Sequence, residues 1–367
     1  VAPEQQTGGF KSRHRARRHR SPFAMTLRFP AVAGALLLGA AAGALAQWLR
    51  IPLPWMVGPL VAMAAARMGR VPLAEPPGGR LAGQLVIGVA LGLYFSPAVG
   101  REVLATGGWM LLLGFVAIGI GYVCARVVAR LSGVDLKTAF FASVPGGASE
   151  MAVLAQRHGA SIPHVAMAHS LRILLVVVVV PGALTLLNVT GTDLYAPPQA
   201  AVSAGGLVAL LAVALAGALV ALQFRVPNAW ILGPLGVTIA LTLNEVDLSA
   251  MPGWLSALGQ LLIGLALGAR FEPDFLRSAP RYTGALLAGI AVALALAAGA
   301  GIALAWLSGL NPATMLLAAA PGGIAEMCIT AKVLQLGVPL VTAFHVTRFV
   351  MVVTLTGPLY TLAARRR

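Results

Sequence analysis

Val144–Met151 reads VPGGASEM, and Ala320–Met327 reads APGGIAEM. Each places a Pro-Gly-Gly triplet in an apolar stretch, with a glutamate three residues beyond the second glycine. Proline removes a backbone donor and clashes with the preceding helical turn. The paired glycines let the chain leave helical geometry at little steric cost. A helix that meets this triplet is expected to break and restart. Backbone broken at membrane depth is tolerated only when protein buries it or when it lines a wet cavity. The restarted helix presents free N–H groups and a positive dipole end, and Glu150 and Glu326 fall in its first turn.

The surrounding composition decides which solvent applies. Of 367 residues, 59% are hydrophobic and 10% are charged, with a mean hydropathy of +0.87. Soluble domains carry about 25% charged residues. Apolar runs of spanning length recur at Ala31–Leu49, Leu104–Val123, Leu207–Leu222 and Leu286–Leu307, as in a polytopic membrane protein. Six of the positive charges behind the net +15 sit in one patch, between Lys11 and Arg20. Such a patch binds nucleic acid or anionic lipid, or only holds the N-terminus in the cytoplasm. A third reading has translation starting at Met25, which opens an ordinary inner-membrane N-terminus. Cys124 and Cys328 both lie in apolar runs, which speaks against a disulfide framework or a cysteine-rich metal site.

The two Pro-Gly-Gly segments belong to a longer duplication. GQLVIGVALGLYFSP (Gly83–Pro97) and GQLLIGLALGARFEP (Gly259–Pro273) agree at ten of fifteen positions, 176 residues apart. The same separation relates Pro145 to Pro321, His169 to His345 and Arg172 to Arg348, and LPWMVGPL pairs with NAWILGPL one residue out of step. Shared greasiness does not select matching Gln, Pro and Gly. The expected organisation is a basic tail (1–29), a first membrane repeat (30–190), an external linker (191–202) and a second membrane repeat (203–367).

Lysine and arginine in short loops set the orientation. Arg67–Arg80 and Arg126–Lys137 are basic, the linker Asn188–Ala201 has neither residue, Asn244–Ser249 is acidic, and Arg270–Arg281 and the C-terminal arginines are basic. Both termini are therefore expected in the cytoplasm, and the halves run in opposite directions. Inverted repeats of this kind are the plan of secondary transporters. Six apolar segments per half reconcile with an odd number of crossings if each Pro-Gly-Gly element is broken or re-entrant. The fold expected is all-α and polytopic, with two inverted-topology repeats, about ten transmembrane helices and two discontinuous elements.

Of eleven acidic residues, only Glu150 and Glu326 lie within the repeated apolar motifs. A buried carboxylate is costly unless paired or protonated. Each either caps its broken helix or pairs with Arg172 or Arg348, or the two bind protons or cations at the repeat interface. His169 and Arg172 lie three apart on one helical face, as do His345 and Arg348. The arginines are candidate counter-ions or anion ligands, and the histidines candidate proton relays; plain helix packing is the alternative for both. Gln84 and Gln260 either line the same cavity or bond neighbouring helices. Gly88 and Gly92, like Gly264 and Gly268, have the spacing that lets helices approach closely. The candidate solute or ion site is thus Pro145, Gly146, Gly147, Glu150, His169, Arg172 and Gln84 with Pro321, Gly322, Gly323, Glu326, His345, Arg348 and Gln260.

The doubled PGG-x-x-E-M and H-x-x-R, with GQL-x-I-G-x-A-L-G and W-x-x-G-P, resembles the bacterial AbrB-duplication membrane proteins. The similarity covers nearly all of the chain after residue 30. Members carry labels such as AbrB family transcriptional regulator and ammonia monooxygenase. The soluble sporulation regulator AbrB shares the name, but it is a small DNA-binding barrel that this composition cannot form. The inverted halves with paired broken helices are similar by analogy to cation–proton antiporters and bile-acid symporters. Secondary transport or export of a small solute, coupled to protons or sodium, is the expected function. A membrane regulator acting indirectly on gene expression is the alternative. An enzyme is not expected, because ammonia oxidation needs clustered copper or iron ligands and His164, His169 and His345 are not a close set. No cofactor and no direct nucleic-acid partner are expected; the partners are the bilayer, a small solute or ion, and a second copy of the chain as an option.

Overall fold

The computed structural model describes residues 28–192, 195, 201–271 and 279–365. The basic patch Lys11–Arg20, Met25, Arg277, Arg366 and Arg367 lie outside them. Among the described residues there are fifteen α-helices and no strand. The first half contains α1 (Arg28–Trp48), α2 (Pro54–Met68), α3 (Gly79–Gly92), α4 (Pro97–Ala105), α5 (Gly107–Ser132), α6 (Leu136–Ser143), α7 (Ala148–Arg157) and α8 (Ile162–Leu186). The second contains α9 (Ala204–Gln223), α10 (Ala229–Leu243), α11 (Gly253–Gly268), α12 (Pro280–Ser308), α13 (Pro312–Ala319), α14 (Ile324–Leu334) and α15 (Val338–Arg365). The stretch matching α4 under the 176-residue separation falls largely on residues 272–278, outside the described ones.

Among the described residues, six helices are long and apolar enough to cross a membrane: α1, α5, α8, α9, α12 and α15. The bent pair α3–α4, joined at 94°, brings the number to seven. The remaining apolar helices α2, α10 and α11 have 15 or 16 residues, short of the roughly 20 a full span needs. The expected count of about ten therefore meets six or seven full-length spans plus shorter helices. The ends of α2 and α10 explain part of this. Each is entered through a residue in the left-handed region, Leu53 at φ 51° and Asn228 at φ 56°, so the chain turns sharply where apolar composition alone reads straight on. The run Leu104–Val123 hides a second turn at Thr106, between α4 and α5.

In α8 and α15, 61% of the apolar span is buried inside the protein, whereas in α1 and α9 only 22% is. The helices carrying the His-x-x-Arg pairs are central, and the first helix of each half is peripheral. Phe29, Trp48, Leu104 and Trp306 are among the large apolar side chains left exposed. In water they would be a liability; in a bilayer they meet lipid.

Without a hydrophobic drive between helices in lipid, close packing decides which helices join. The halves interlock: α2 packs on α11, α10 packs on α3, and α5 packs on α12. Small residues make these approaches possible. A Cβ on Gly88 would lie 2.6 Å from the Ile231 carbonyl oxygen, and one on Gly264 would lie 2.5 Å from that of Met56. Helices α3 and α11 meet at Gly83, whose Cβ would lie 2.6 Å from the Gly259 carbonyl oxygen. Corresponding caps recur in both halves. Gly133 (φ 78°) ends α5 and Gly309 (φ 72°) ends α12. Asp135 then caps α6 through the Thr138 N–H, and Asn311 caps α13 through the Ala313 and Thr314 N–H groups.

Candidate functional site

Each Pro-Gly-Gly triplet separates two short helices, α6 from α7 and α13 from α14. Both breaks form the same turn: the Gly146 N–H donates to the Val144 carbonyl at 2.8 Å, and the Gly322 N–H donates to the Ala320 carbonyl at 2.8 Å. The second glycine of each triplet caps the next helix with ordinary negative φ, −68° at Gly147 and −78° at Gly323. The chain leaves helical geometry here through extended rather than left-handed backbone, so positive φ is not what these glycines supply. Close approach is. A Cβ on Gly147 would sit 2.0 Å from Glu150 Oε2, and one on Gly323 would sit 2.0 Å from Glu326 Oε2. The carboxylates fold back over the glycines that start their own helices, where the dipole favours a negative charge. Glu326 is buried, whereas Glu150 is half-buried.

The opposite end of each break is held from α8 or α15. Arg172 Nη1 and Nη2 donate to the carbonyls of Val144 (3.1 Å) and Gly146 (3.0 Å). Arg348 Nη1 and Nη2 donate to those of Ala320 (2.5 Å) and Gly322 (2.6 Å). His169 Nε2 donates to the Phe141 carbonyl at 2.9 Å, and His345 Nε2 donates to that of Leu317 at 3.0 Å. A helix end leaves carbonyls without intrahelical partners and a partial negative charge. The His-x-x-Arg pairs supply the missing donors to α6 and α13, and the arginines bond to backbone rather than to the glutamates.

The histidines differ in their second nitrogen. Because Leu317 offers only an acceptor, His345 carries its proton on Nε2, and Nδ1 accepts from Arg348 Nη2 at 2.9 Å. In the first half His169 Nδ1 is buried without a partner. Nε of both Arg172 and Arg348 is likewise buried and unpartnered.

The two breaks meet at a cavity of about 90 Å³. Pro145, Gly146, Gly147, Glu150 and Arg172 line it from the first half, and Gly322, Gly323, Glu326, His345 and Arg348 line it from the second. Gln84 also lines it and donates from Nε2 to Asn228 Oδ1 at 3.0 Å. Pro321 and His169 are buried behind this wall, and half-buried Gln260 lies away from it. The residue matching Asn228 is Leu53, which offers Gln260 no amide partner.

Sequence reasoning missed three polar wall residues: Arg80, Arg270 and Asn228. Both arginines were read as loop charges that mark the cytoplasmic side. The signal that distinguishes them is their departure from the repeat, where Ser256 and Tyr94 occupy the matching positions. A second cleft, apolar and about 1080 Å³, lies between α4, α5, α10 and α15 and is lined by residues such as Phe95, Leu111, Leu235 and Val346. Among the described residues, no three of His, Cys, Asp or Glu group as metal ligands. His164 is engaged elsewhere, with Nδ1 2.7 Å from Ser161 Oγ and its ring edge-on to Tyr282.

A family described as "Transition state regulatory protein AbrB" matches residues 55–364. The chain belongs to the AbrB family. Among proteins similar to this AbrB-family chain, one of Bacillus subtilis (strain 168), "Uncharacterized protein YhjN", is 28% identical over 358 residues, covering 89% of this chain and 91% of that protein. The Escherichia coli (strain K12) protein "Putative regulator AbrB" is 26% identical over 320 residues, covering 84% and 89% respectively. The AbrB-family chain is thus similar to both relatives across most of their lengths.

Proposed function

We propose that this AbrB-family protein is a secondary transporter or exporter of a small solute, coupled to protons or sodium, and not an enzyme. The observation that carries the reading is the meeting of two broken helices, one from each half, at a polar cavity inside an otherwise apolar helical assembly. Transporters place their solute sites between such discontinuous helices, near the bilayer midplane. In this reading the halves are inverted repeats spanning the bacterial inner membrane about ten times, with both termini cytoplasmic. Arg80, at the start of α3, and Arg270, just after α11, adjoin the loops assigned to the cytoplasm. The cavity then faces inward. The matching positions on the far side are Ser256, Tyr94 and Leu53, and all three are buried. That difference between the two sides supports an alternating-access cycle captured with one side closed.

Flux in proteoliposomes tests this. Small amines, amino acids and organic acids are screened as drivers of proton or sodium movement, in wild type, Glu150→Gln and Glu326→Gln. A solute that moves, and that either substitution uncouples from the ion in a folded protein, is the expected result. Absence of any solute-driven ion flux, or coupling unchanged in both variants, removes the glutamates from the mechanism.

The family description and the name of the Escherichia coli relative favour a second reading, a membrane regulator. Regulation would then follow from the level of the transported solute rather than from contact with DNA. Loss of the regulatory effect in a transport-dead but folded variant would support that indirect route.

A further inference from the structure

We propose that the central cavity binds a small anion, of the size of inorganic phosphate or a short carboxylate, and that Arg80 and Arg270 hold it. The inference rests on the cavity being the solute site of the transport reading. Six charged side chains line the cavity, four arginines and two glutamates. Four of these six are compensated within the breaks themselves. Arg172 and Arg348 face the carbonyl ends of α6 and α13, where the helix dipole is negative. Glu150 and Glu326 sit in the first turns of α7 and α14, where it is positive.

Arg80 and Arg270 have no such arrangement. Neither makes a hydrogen bond or close ion pair among the described residues, although Arg270 feels the more distant charges of Glu326, Glu75 and Glu150. Arg80 also lies in the first turn of α3, so the helix dipole adds to its positive charge instead of offsetting it. Two guanidinium groups turned into one enclosed space leave an excess of two positive charges there. A half-buried charge of this kind is costly without a close partner. The planar guanidinium fork matches the paired oxygens of a carboxylate or phosphate.

The same cavity supplies further anion-binding features. The N-termini of α7 and α14 also reach its wall, although Glu150 and Glu326 already fold back over them. The Gln84–Asn228 pair contributes neutral polar surface. Size narrows the class. A volume of about 90 Å³ is far below the roughly 300–1,000 Å³ of sites for drug-sized ligands. The duplicate positions, Ser256 and Tyr94, carry no charge, so the arginines are not explained as remnants of duplication.

Binding to the full chain purified in detergent distinguishes the possibilities. Isothermal calorimetry is run with sodium phosphate and sodium acetate, with sodium chloride as the baseline and ammonium chloride as the cationic probe. Saturable binding of phosphate or acetate is expected, weakened about tenfold or more in Arg80→Gln and in Arg270→Gln and partly restored in Arg80→Lys and Arg270→Lys. Since neither arginine bonds to the described protein, thermal unfolding of the four variants should show no loss relative to wild type, and shedding an unpaired charge favours a gain in the Gln variants. Saturation by ammonium with neither anion binding, no saturable binding of either anion, or anion binding equal in wild type and both Gln variants overturns the proposal. Arginine-dependent binding without flux in proteoliposomes would uphold the site and sink the transport reading. Flux of a cationic solute without anion binding would do the reverse.

Discussion

At the scale of single residues, the two halves repeat the same chemistry with unequal burial. Gly147 and Gly323 each leave room for a carboxylate that returns from the next turn. An alanine at either position forces that carboxylate out of its cap. Glu150 is half-buried and can swing toward water, whereas Glu326 is enclosed. Thermal unfolding of purified Gly323→Ala is therefore expected to show a larger loss than Gly147→Ala, with overpacking of this kind costing about 1–3 kcal/mol. Equal or negligible losses would show that the glutamates do not need this position. The glutamates, the triplets and the His-x-x-Arg pairs were legible in the sequence because each stands out in an apolar stretch and each occurs twice. Arg80 and Arg270 were not. A loop-flanking arginine has the same appearance whether it faces water or turns inward, and a linear sequence carries no direction for a side chain. Asn228 was hidden for a related reason, since its partner Gln84 is 144 residues away.

Among the elements, glycine spacing proved to be a statement about neighbours. Gly264 and Gly268 touch α2, and Gly88 and Gly92 touch α10, so the close approaches join one half to the other. Gly264→Ala is expected to destabilise, because its Cβ would meet the Met56 carbonyl oxygen at 2.5 Å. Gly299→Ala, in α12, has nothing within 4 Å and should be neutral or stabilising by up to about 1 kcal/mol, from helix propensity alone. Thermal unfolding of the two variants checks the contrast, and a similar loss in both would mean that contact at Gly264 is not what matters. Helix existence was readable from apolar runs, and the breaks from Pro-Gly-Gly. The shorter helices were not, since sharp entries at Leu53 and Asn228 require left-handed backbone at residues other than glycine. The 94° bend before α4 was likewise concealed, although Ser96 and Pro97 are an ordinary helix start.

For the whole molecule, duplication plus loop charge yields a topology that can be measured directly. Cys124 and Cys328 are both buried, so a single introduced cysteine can be labelled over a low background. Lys137 and Ala313 occupy matching positions at the starts of α6 and α13. In inverted repeats, Lys137→Cys reacts with a membrane-impermeant thiol reagent from the cytoplasmic side and Ala313→Cys from the opposite side. Labelling of both from one side would make the repeats parallel. The membrane class was visible from composition. The interlocking of α2 with α11 and of α10 with α3 was not, because no local pattern specifies which half a helix will join.

The compensation built into each break has an electrical consequence. A charge carried across the full membrane potential does work of about 2.3 kcal/mol per 100 mV. The α6–α7 unit together with Arg172 contributes one guanidinium and one carboxylate lining the cavity, and the α13–α14 unit with Arg348 contributes the same. Displacing either unit as a body moves no net charge from these groups through the field. The current of a transport cycle would then report the solute and its coupling ion, together with any shift of Arg80, Arg270 and the basic residues Lys137, Arg157 and Lys332 that the broken helices also carry, rather than the paired charges at the breaks.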